Sequence, residues 1–156
     1  MDIIRLNIVN CKIIKHCFDG MFGVKGYNPE PDYHRGIGVQ FIEQTKVFDA
    51  DGKEINIEDY FKDVKDGLWV SINKTKEDDG RFWKIYYPTT RVFYCPDGEK
   101  FKYKREVSLE DADAMLDPEK EYIAVVELRL RERRWHVDET NKYVGYATRI
   151  IIKEKD

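Results

Sequence analysis

Four arginines and a tryptophan lie close together near the end of the sequence, at positions 129, 131, 133, 134 and 135. Guanidinium groups supply fixed positive charge for phosphates, and an indole ring offers a flat face on which an unpaired base can stack. Arg129, Arg131 and Arg133 are therefore predicted to pair with phosphates, and Trp135 is predicted to stack on a base. The alternative for Trp135 is a place in the core, where it would close one end of a barrel.

A strand must present these side chains, and the preceding residues have the period of two that a half-buried strand requires. Val126, Leu128 and Leu130 alternate with Glu127 and the arginines, so an aliphatic face would pack inward while a basic face is presented. After the turn residues DETN, residues 143–152 form a second apolar run. The two runs together predict a long antiparallel hairpin.

A stretch rich in glycine and proline, residues 18–35, again places rings beside positive charge. Its composition excludes regular structure and predicts a long functional loop. Tyr33 and Arg35 are predicted to contact nucleic acid, because a ring and a charge there could act on adjacent parts of a nucleotide. The alternative is that Phe22 and Tyr27 only plug one end of a barrel.

Further candidates lie on other predicted strands. Lys102 and Lys104 share one face of the stretch KFKYKREV, and Tyr146 lies in the last strand. The two lysines are predicted to contact phosphates and Tyr146 to stack on a base. Trp69 and Trp83 stand opposite aliphatic positions of their strands, and the sequence leaves open whether they belong to the core or to a binding face.

The charge distribution allows a basic surface although the 156-residue chain has a net charge of −3 at pH 7. Residues 47–80 hold 5 Lys+Arg against 10 Asp+Glu, and residues 108–120 hold 1 against 5. Residues 81–107 instead hold 7 against 3. A local basic face can therefore coexist with an acidic total. The alternative interpretation is that these charges are ordinary solvated strand faces.

The sequence gives little support to an enzyme. It has no GxxxxGK[ST] loop for phosphates and no HExxH motif, and its three histidines lack metal-binding spacing. Carboxylates in KEDDG and EDYFKD could hold a divalent cation for nuclease chemistry, but acids in turns are usually solvated. We therefore expect a non-catalytic protein with no cofactor and no metal.

The cysteines and the apolar runs indicate a cytoplasmic protein. Cys11, Cys17 and Cys95 are odd in number and lack CxxC spacing, so buried free thiols are expected rather than a disulfide framework or a zinc site. No N-terminal stretch has the layout of a signal peptide, and the apolar runs are only a few residues long. Contact with a membrane is not expected.

The order of the predicted elements indicates a mainly β fold. The first strand has apolar positions that drift from one face to the other, as in a strand that bends around a barrel. Two short helices are predicted, one in NIEDYFKDVKDG ended by Gly67, and one that begins after Ser108 and closes at Pro118. The prediction is a single domain over residues 1–156, an antiparallel oligonucleotide-binding (OB) type of barrel with extra hairpins and one or two short helices.

Four stretches carry a resemblance to a known family: NIVNCKII, GYNPEPDYHRGIGV, ELRLRERRWHV and YVGYATRIIIKE. They are similar to the N-C-(R/K)-(I/L) strand, the F-N-P loop, the basic strand with its W-x-V step, and the G-x-x-A-Y-L strand of phage-encoded single-stranded DNA-binding proteins of tailed-phage replication modules. The resemblance is strongest in residues 7–14 and 121–154 and weak in residues 47–107. It implies an OB barrel that coats single-stranded DNA without sequence preference and cooperates with replication proteins.

The sequence departs from the family pattern in two places. The region after YNPE is longer, and no acidic C-terminal tail follows KEKD, so recruitment of partners by such a tail is not implied. The overall prediction is sequence-independent binding of single-stranded DNA in phage replication or recombination, with phage replication proteins as further partners. The alternative is a small phage-type β-domain that binds and modulates a host protein through its acidic stretches. The oligomeric state, the site size and the base preference are left open.

Overall fold

A computed structural model describes residues 4–19, 35–74, 88–96, 104–132 and 142–155. In chain order these residues form β1 (Ile4–Cys17), β2 (Gly36–Gln40), β3 (Lys46–Asp49), β4 (Glu54–Ile55), β5 (Leu68–Ile72), β6 (Arg91–Cys95), β7 (Arg105–Val107), helix α1 (Leu109–Met115), β8 (Tyr122–Glu132) and β9 (Tyr143–Glu154). Two 3-10 turns, Ile57–Asp59 and Val64–Asp66, lie between β4 and β5. The prediction of a mainly β fold is confirmed.

Five of the strands close into a barrel in the order β1–β2–β5–β9–β8, and β8 pairs again with β1. Paired residues can be followed once around the barrel, through Cys17, Gly36, Ser71, Tyr146, Arg129 and Arg5. This circuit begins at one end of β1 and finishes near the other end. The strands are therefore strongly staggered, as closure of a small barrel requires.

The prediction of a purely antiparallel barrel is wrong at one strand pair. β5 and β9 run parallel, with Ser71 opposite Tyr146 and Ile72 opposite Ala147. The physical reason is geometric, because strand directions cannot alternate all the way around a closed ring with an odd number of strands. The barrel is therefore mixed.

Two extensions widen the sheet beyond the barrel. β3 and β4 continue from β1, whereas β6 and β7 continue from β9, with β6 parallel to β9. Thr90, which is buried, fixes the start of β6, since its hydroxyl donates to the carbonyl of Ala147 at 2.6 Å and accepts from the amide of Asn73 at 3.0 Å. The β6–β7 extension thereby shares one outer face with β8 and β9.

A β-bulge at Asn10 explains why the apolar positions of β1 change face. Asn10 has a φ of 62° and the register with β8 shifts there, a conformation that asparagine adopts more readily than most residues. Its carbonyl accepts a hydrogen bond from the Thr45 hydroxyl at 2.7 Å. Leu6 and Ile8 are buried before the bulge and Cys11 after it. The predicted bend of the first strand is confirmed.

The two predicted helices have different outcomes. The stretch that contains residues 56–67 forms two 3-10 turns instead of one helix, because Asp63 between them has a left-handed φ of 55°. Gly67, at φ 130°, ends the second turn as predicted. The helix after Ser108 is confirmed as α1, and the Ser108 side chain accepts a hydrogen bond from the Asp111 amide at 3.1 Å.

Helix α1 is joined to the end of β1 by one buried carboxylate. Asp113 Oδ1 lies 2.7 Å from His16 Nδ1, and the carboxylate accepts hydrogen bonds from the amides of Phe18 and Asp19. Burial alone would raise the pKa of Asp113, but the hydrogen bonds from His16, Phe18 and Asp19 outweigh it and lower that pKa. The helix is thus fixed beside the last residues of β1.

Cys11, Cys17 and Cys95 are all buried, which confirms the prediction of buried structural cysteines. Burial raises the pKa of Cys11 to about 12. A thiol with that pKa carries almost no thiolate at neutral pH, so we expect Cys11 to be unreactive in the folded protein.

Candidate functional site

The outer face of β1 and β8 holds a pair of arginines directly opposite each other. Arg5 pairs with Arg129 in the antiparallel register, which places their Cβ atoms about 5 Å apart. Arg5 is exposed and Arg129 half-buried, and Arg131 follows on the same face of β8 as an exposed residue. The predicted alternation of β8 is confirmed, since Val126, Leu128 and Leu130 on its other face are buried.

A shallow polar groove of about 260 Å³ runs along this arginine pair. It is lined by Arg5, Leu6, Asn7, Ala50, Glu127, Leu128, Arg129 and Thr148. Glu127 is the carboxylate in that lining, yet within the described part of the chain no ion pair joins it to Arg5 or Arg129. The two guanidinium groups therefore keep donors that a bound anion could use.

A second group of cations surrounds the ring of Phe93 on the same outer face, where β6, β7 and β9 meet. The guanidinium of Arg149 lies 4.5 Å from the ring centroid, that of Arg91 5.0 Å, and the Lys104 ammonium 5.6 Å. Phe93 itself is 7% exposed. We call Arg91, Phe93, Lys104, Glu106 and Arg149 the Phe93 cluster.

The Phe93 cluster contains another pair of arginines in register. Arg91 lies opposite Arg149 in the parallel pairing of β6 with β9. Glu106 compensates part of this charge, because its two oxygens accept from Arg91 Nε at 3.1 Å and Arg91 Nη2 at 2.7 Å. This hydrogen-bonded pair lowers the pKa of Glu106 and raises that of Arg91. Both side chains are about half exposed, 59% for Arg91 and 48% for Glu106.

Arg149 has donor capacity that the described residues do not use. Its Nε is buried and makes no hydrogen bond to any described group. The side chain is half-buried and its guanidinium lies over the ring of Phe93, which packs with Ile151 and Val125. This cation–π contact holds the guanidinium on the outer face.

The structure brings four of the predicted site residues onto this face, three of them basic and the fourth Tyr146. Arg129 and Arg131 lie on β8, and Lys104 belongs to the Phe93 cluster. Arg35 is half-buried at the entrance to β2, where its carbonyl accepts from the Ile72 amide, so it lies apart from the others. Four predicted site residues fall outside the described residues: Tyr33, Lys102, Arg133 and Trp135.

Tyr146 does not fit the stacking role predicted for it. It lies opposite Arg129 on the outer face, but only 7% of the residue is exposed. A ring with so little exposed surface cannot stack on a base in this conformation. The alternation of β9 predicts that the side chain of Tyr146 points outward. Its burial depends on neighbours from other strands, which the local sequence does not identify.

Trp69 also points to the outer side of the barrel, as its place between Leu68 and Val70 predicts. Its indole lies directly over Gly36, where an added Cβ would approach the ring to 2.3 Å. The space left by the missing side chain of Gly36 is therefore filled by Trp69. Trp83, whose place the sequence left equally open, lies outside the described residues.

Sequence reasoning missed Arg5, Arg91 and Arg149 as parts of the site. Each is the single arginine of its strand, and only the register of β1, β8, β9 and β6 brings the three to one face. The positive balance of residues 81–107 was a signal for Arg91. No comparable local signal existed for Arg5.

Within the described residues, no group of three or more His, Cys, Asp or Glu side chains could hold a metal ion. In the same part of the chain, no helix is long and apolar enough to cross a membrane. Comparisons with protein-family models, with curated proteins and with solved structures find no match to this chain. Functional proposals must therefore come from the geometry and charge of the outer face.

Proposed function

We propose that this protein is a non-catalytic, sequence-independent single-stranded DNA-binding protein. The bound strand would lie across the outer face of β1 and β8, where Arg5, Arg129 and Arg131 would pair with phosphates. The role in phage replication that the family resemblance implies is part of the same proposal.

The observation that carries the proposal is the in-register pairing of Arg5 with Arg129. Like charges directly opposite each other on a sheet cost about 0.2–1 kcal/mol. The same face holds a second in-register arginine pair, Arg91 and Arg149, whose charge Glu106 compensates in part. A polyanion laid across the face would bring negative charge to both pairs and would relieve the repulsion between Arg5 and Arg129.

The connectivity of the barrel supports an OB-like fold. Numbered by order in the chain, the barrel strands follow each other around the ring as first, second, third, fifth and fourth, and α1 lies between the third and the fourth. A five-stranded barrel of this Greek-key kind is the architecture of OB domains, which bind oligonucleotides. Tyr33 and Trp135 would supply stacking from the connections that follow β1 and β8, and these roles stay predictions.

Fluorescence anisotropy with a labelled oligo-dT, and duplex of equal length as competitor, tests the proposal directly. The affinity should fall with salt with a log–log slope of about −2 to −4, as expected if about three to six phosphates are neutralised on a single strand. Duplex should compete poorly. A salt-independent affinity would contradict the electrostatic part of the proposal.

The Arg129→Ala and Arg131→Ala double variant should bind at least about tenfold more weakly, or roughly 1.4 kcal/mol. Its Tm should stay within a few degrees, since arginines on the outer face of a strand contribute little to stability. The matched control is the Lys53→Gln and Lys65→Gln double variant, which removes two charges from exposed positions elsewhere. If the wild-type protein does not change the anisotropy of the labelled oligo-dT, DNA binding is overturned and the host-protein alternative is favoured.

A further inference from the structure

The Phe93 cluster has the chemistry of an anion site that is separate from the Arg5–Arg129 pair. Three cations lie within 6 Å of one ring, and the only carboxylate among these five residues, Glu106, is bound to Arg91. Arg149 contributes a planar guanidinium group whose Nε has no hydrogen-bond partner among the described residues. A guanidinium group can donate two parallel hydrogen bonds to the oxygens of one phosphate.

We infer that the Phe93 cluster binds a phosphate of the nucleic-acid backbone, and that Glu106 occupies Arg91 until the phosphate displaces it. This inference rests on the proposed function, and it extends the bound strand from the barrel onto the β6–β7 extension. Glu106 then acts as an internal competitor, holding Arg91 in place in the free protein.

The register makes the two cationic groups neighbours on one surface. Glu127, two residues before Arg129 on β8, lies opposite Arg149, which in turn lies opposite Arg91. Two interstrand steps of about 4.8 Å separate β8 from β6, so the arginine pairs lie on the order of 10 Å apart across the sheet. One flexible nucleic-acid strand can span that distance and contact both.

Contact at the Phe93 cluster should be with the backbone and not with bases. Phe93 is 7% exposed and is covered by the cations that it helps to position, so it offers no open face for stacking. The contribution of the cluster should therefore be the same for oligo-dT and for an abasic oligonucleotide of equal length.

Substitutions of two exposed residues of the cluster should change the affinity for DNA in opposite directions. Lys104→Gln should lower the affinity for oligo-dT about two- to fivefold and make the salt slope less negative by about 0.7, the value for one phosphate contact on a single strand. Glu106→Gln should raise the affinity about two- to fivefold, since it frees Arg91 for the phosphate. Thermal unfolding should be nearly unchanged in both, because the side chains are exposed.

Each variant has a charge-matched control away from the cluster. Lys53→Gln removes one exposed positive charge and Glu43→Gln one exposed negative charge. Effects of Lys104→Gln and Glu106→Gln that exceed their controls, and are equal on oligo-dT and abasic strands, support the site. Effects no larger than the controls, with the wild type still binding, overturn this inference alone. A wild type that binds no oligonucleotide overturns the proposed function as well.

Discussion

On β8, the side chains that point into the barrel and those that point outward meet opposite requirements. Ala124, Val126 and Leu128 on the inner face are at most 1% exposed. The outer face becomes more open and more basic toward the end of the strand, through Arg129 to Arg131. The inner face is thus selected for packing, whereas the outer face retains like-charge pairs that packing and stability alone would disfavour.

The largest expected loss of stability comes from a valine-to-alanine substitution on the inner face of β8. The same substitution at the adjacent outward-facing position tests the difference between the two faces. Val126→Ala, on the inner face at 0% exposure, should lower the free energy of unfolding by about 2–3 kcal/mol, through lost burial and an unfilled cavity. Val125→Ala, on the half-buried outer face, should cost less than half as much. Urea unfolding measures both, and equal losses would mean that the faces do not differ as described.

A smaller loss of the free energy of unfolding is expected from a substitution where α1 joins the barrel. Asp113→Asn should cost about 1–2 kcal/mol at pH 7, because a buried acceptor of three hydrogen bonds loses its charge. The pKa of Asp113 is lowered on folding, so its stabilising contribution is present above the unfolded pKa and is lost as pH falls through the folded pKa. The difference between wild type and variant should therefore shrink as pH falls below about 4.

Asp51→Asn, an exposed residue of the β3–β4 turn, is the control and should change stability by less than about 0.5 kcal/mol. A gap between wild type and Asp113→Asn that stays constant down to pH 2 would show that the charge of Asp113 contributes nothing.

The smallest expected effect is the coupling free energy between two arginines on the outer face, which should be destabilising where the preceding interactions are stabilising. In a double-mutant cycle of Arg5→Gln and Arg129→Gln, the wild-type pair should show a repulsive coupling of about 0.2–1 kcal/mol at low salt. The same cycle on Arg91 and Glu106 should give an attractive coupling. Attractive coupling between Arg5 and Arg129 would remove the main support for a polyanion-binding face.

Local patterns were sufficient for β1, β8, β9 and α1, and for the direction of most of their side chains. The alternation of β8 and the capping Ser108 of α1 were predictable because they depend on neighbours within a few residues. The Arg5–Arg129 and Arg91–Arg149 pairs were not, since each depends on the register between strands far apart in the chain. The parallel β5–β9 pair was missed for a related reason, because it follows from closure of the whole ring.

The pairing of β1 with β8 also determines when the protein can fold during its synthesis. Ile4 lies opposite Leu130, so the first strand cannot complete its pairing until the ribosome has made almost all of the barrel. At 5–20 residues per second that interval is roughly 6–25 s. Throughout it, the edge of β1 that carries Leu6 and Ile8 lacks its native partner β8, and such unpaired strand edges favour aggregation of a nascent chain.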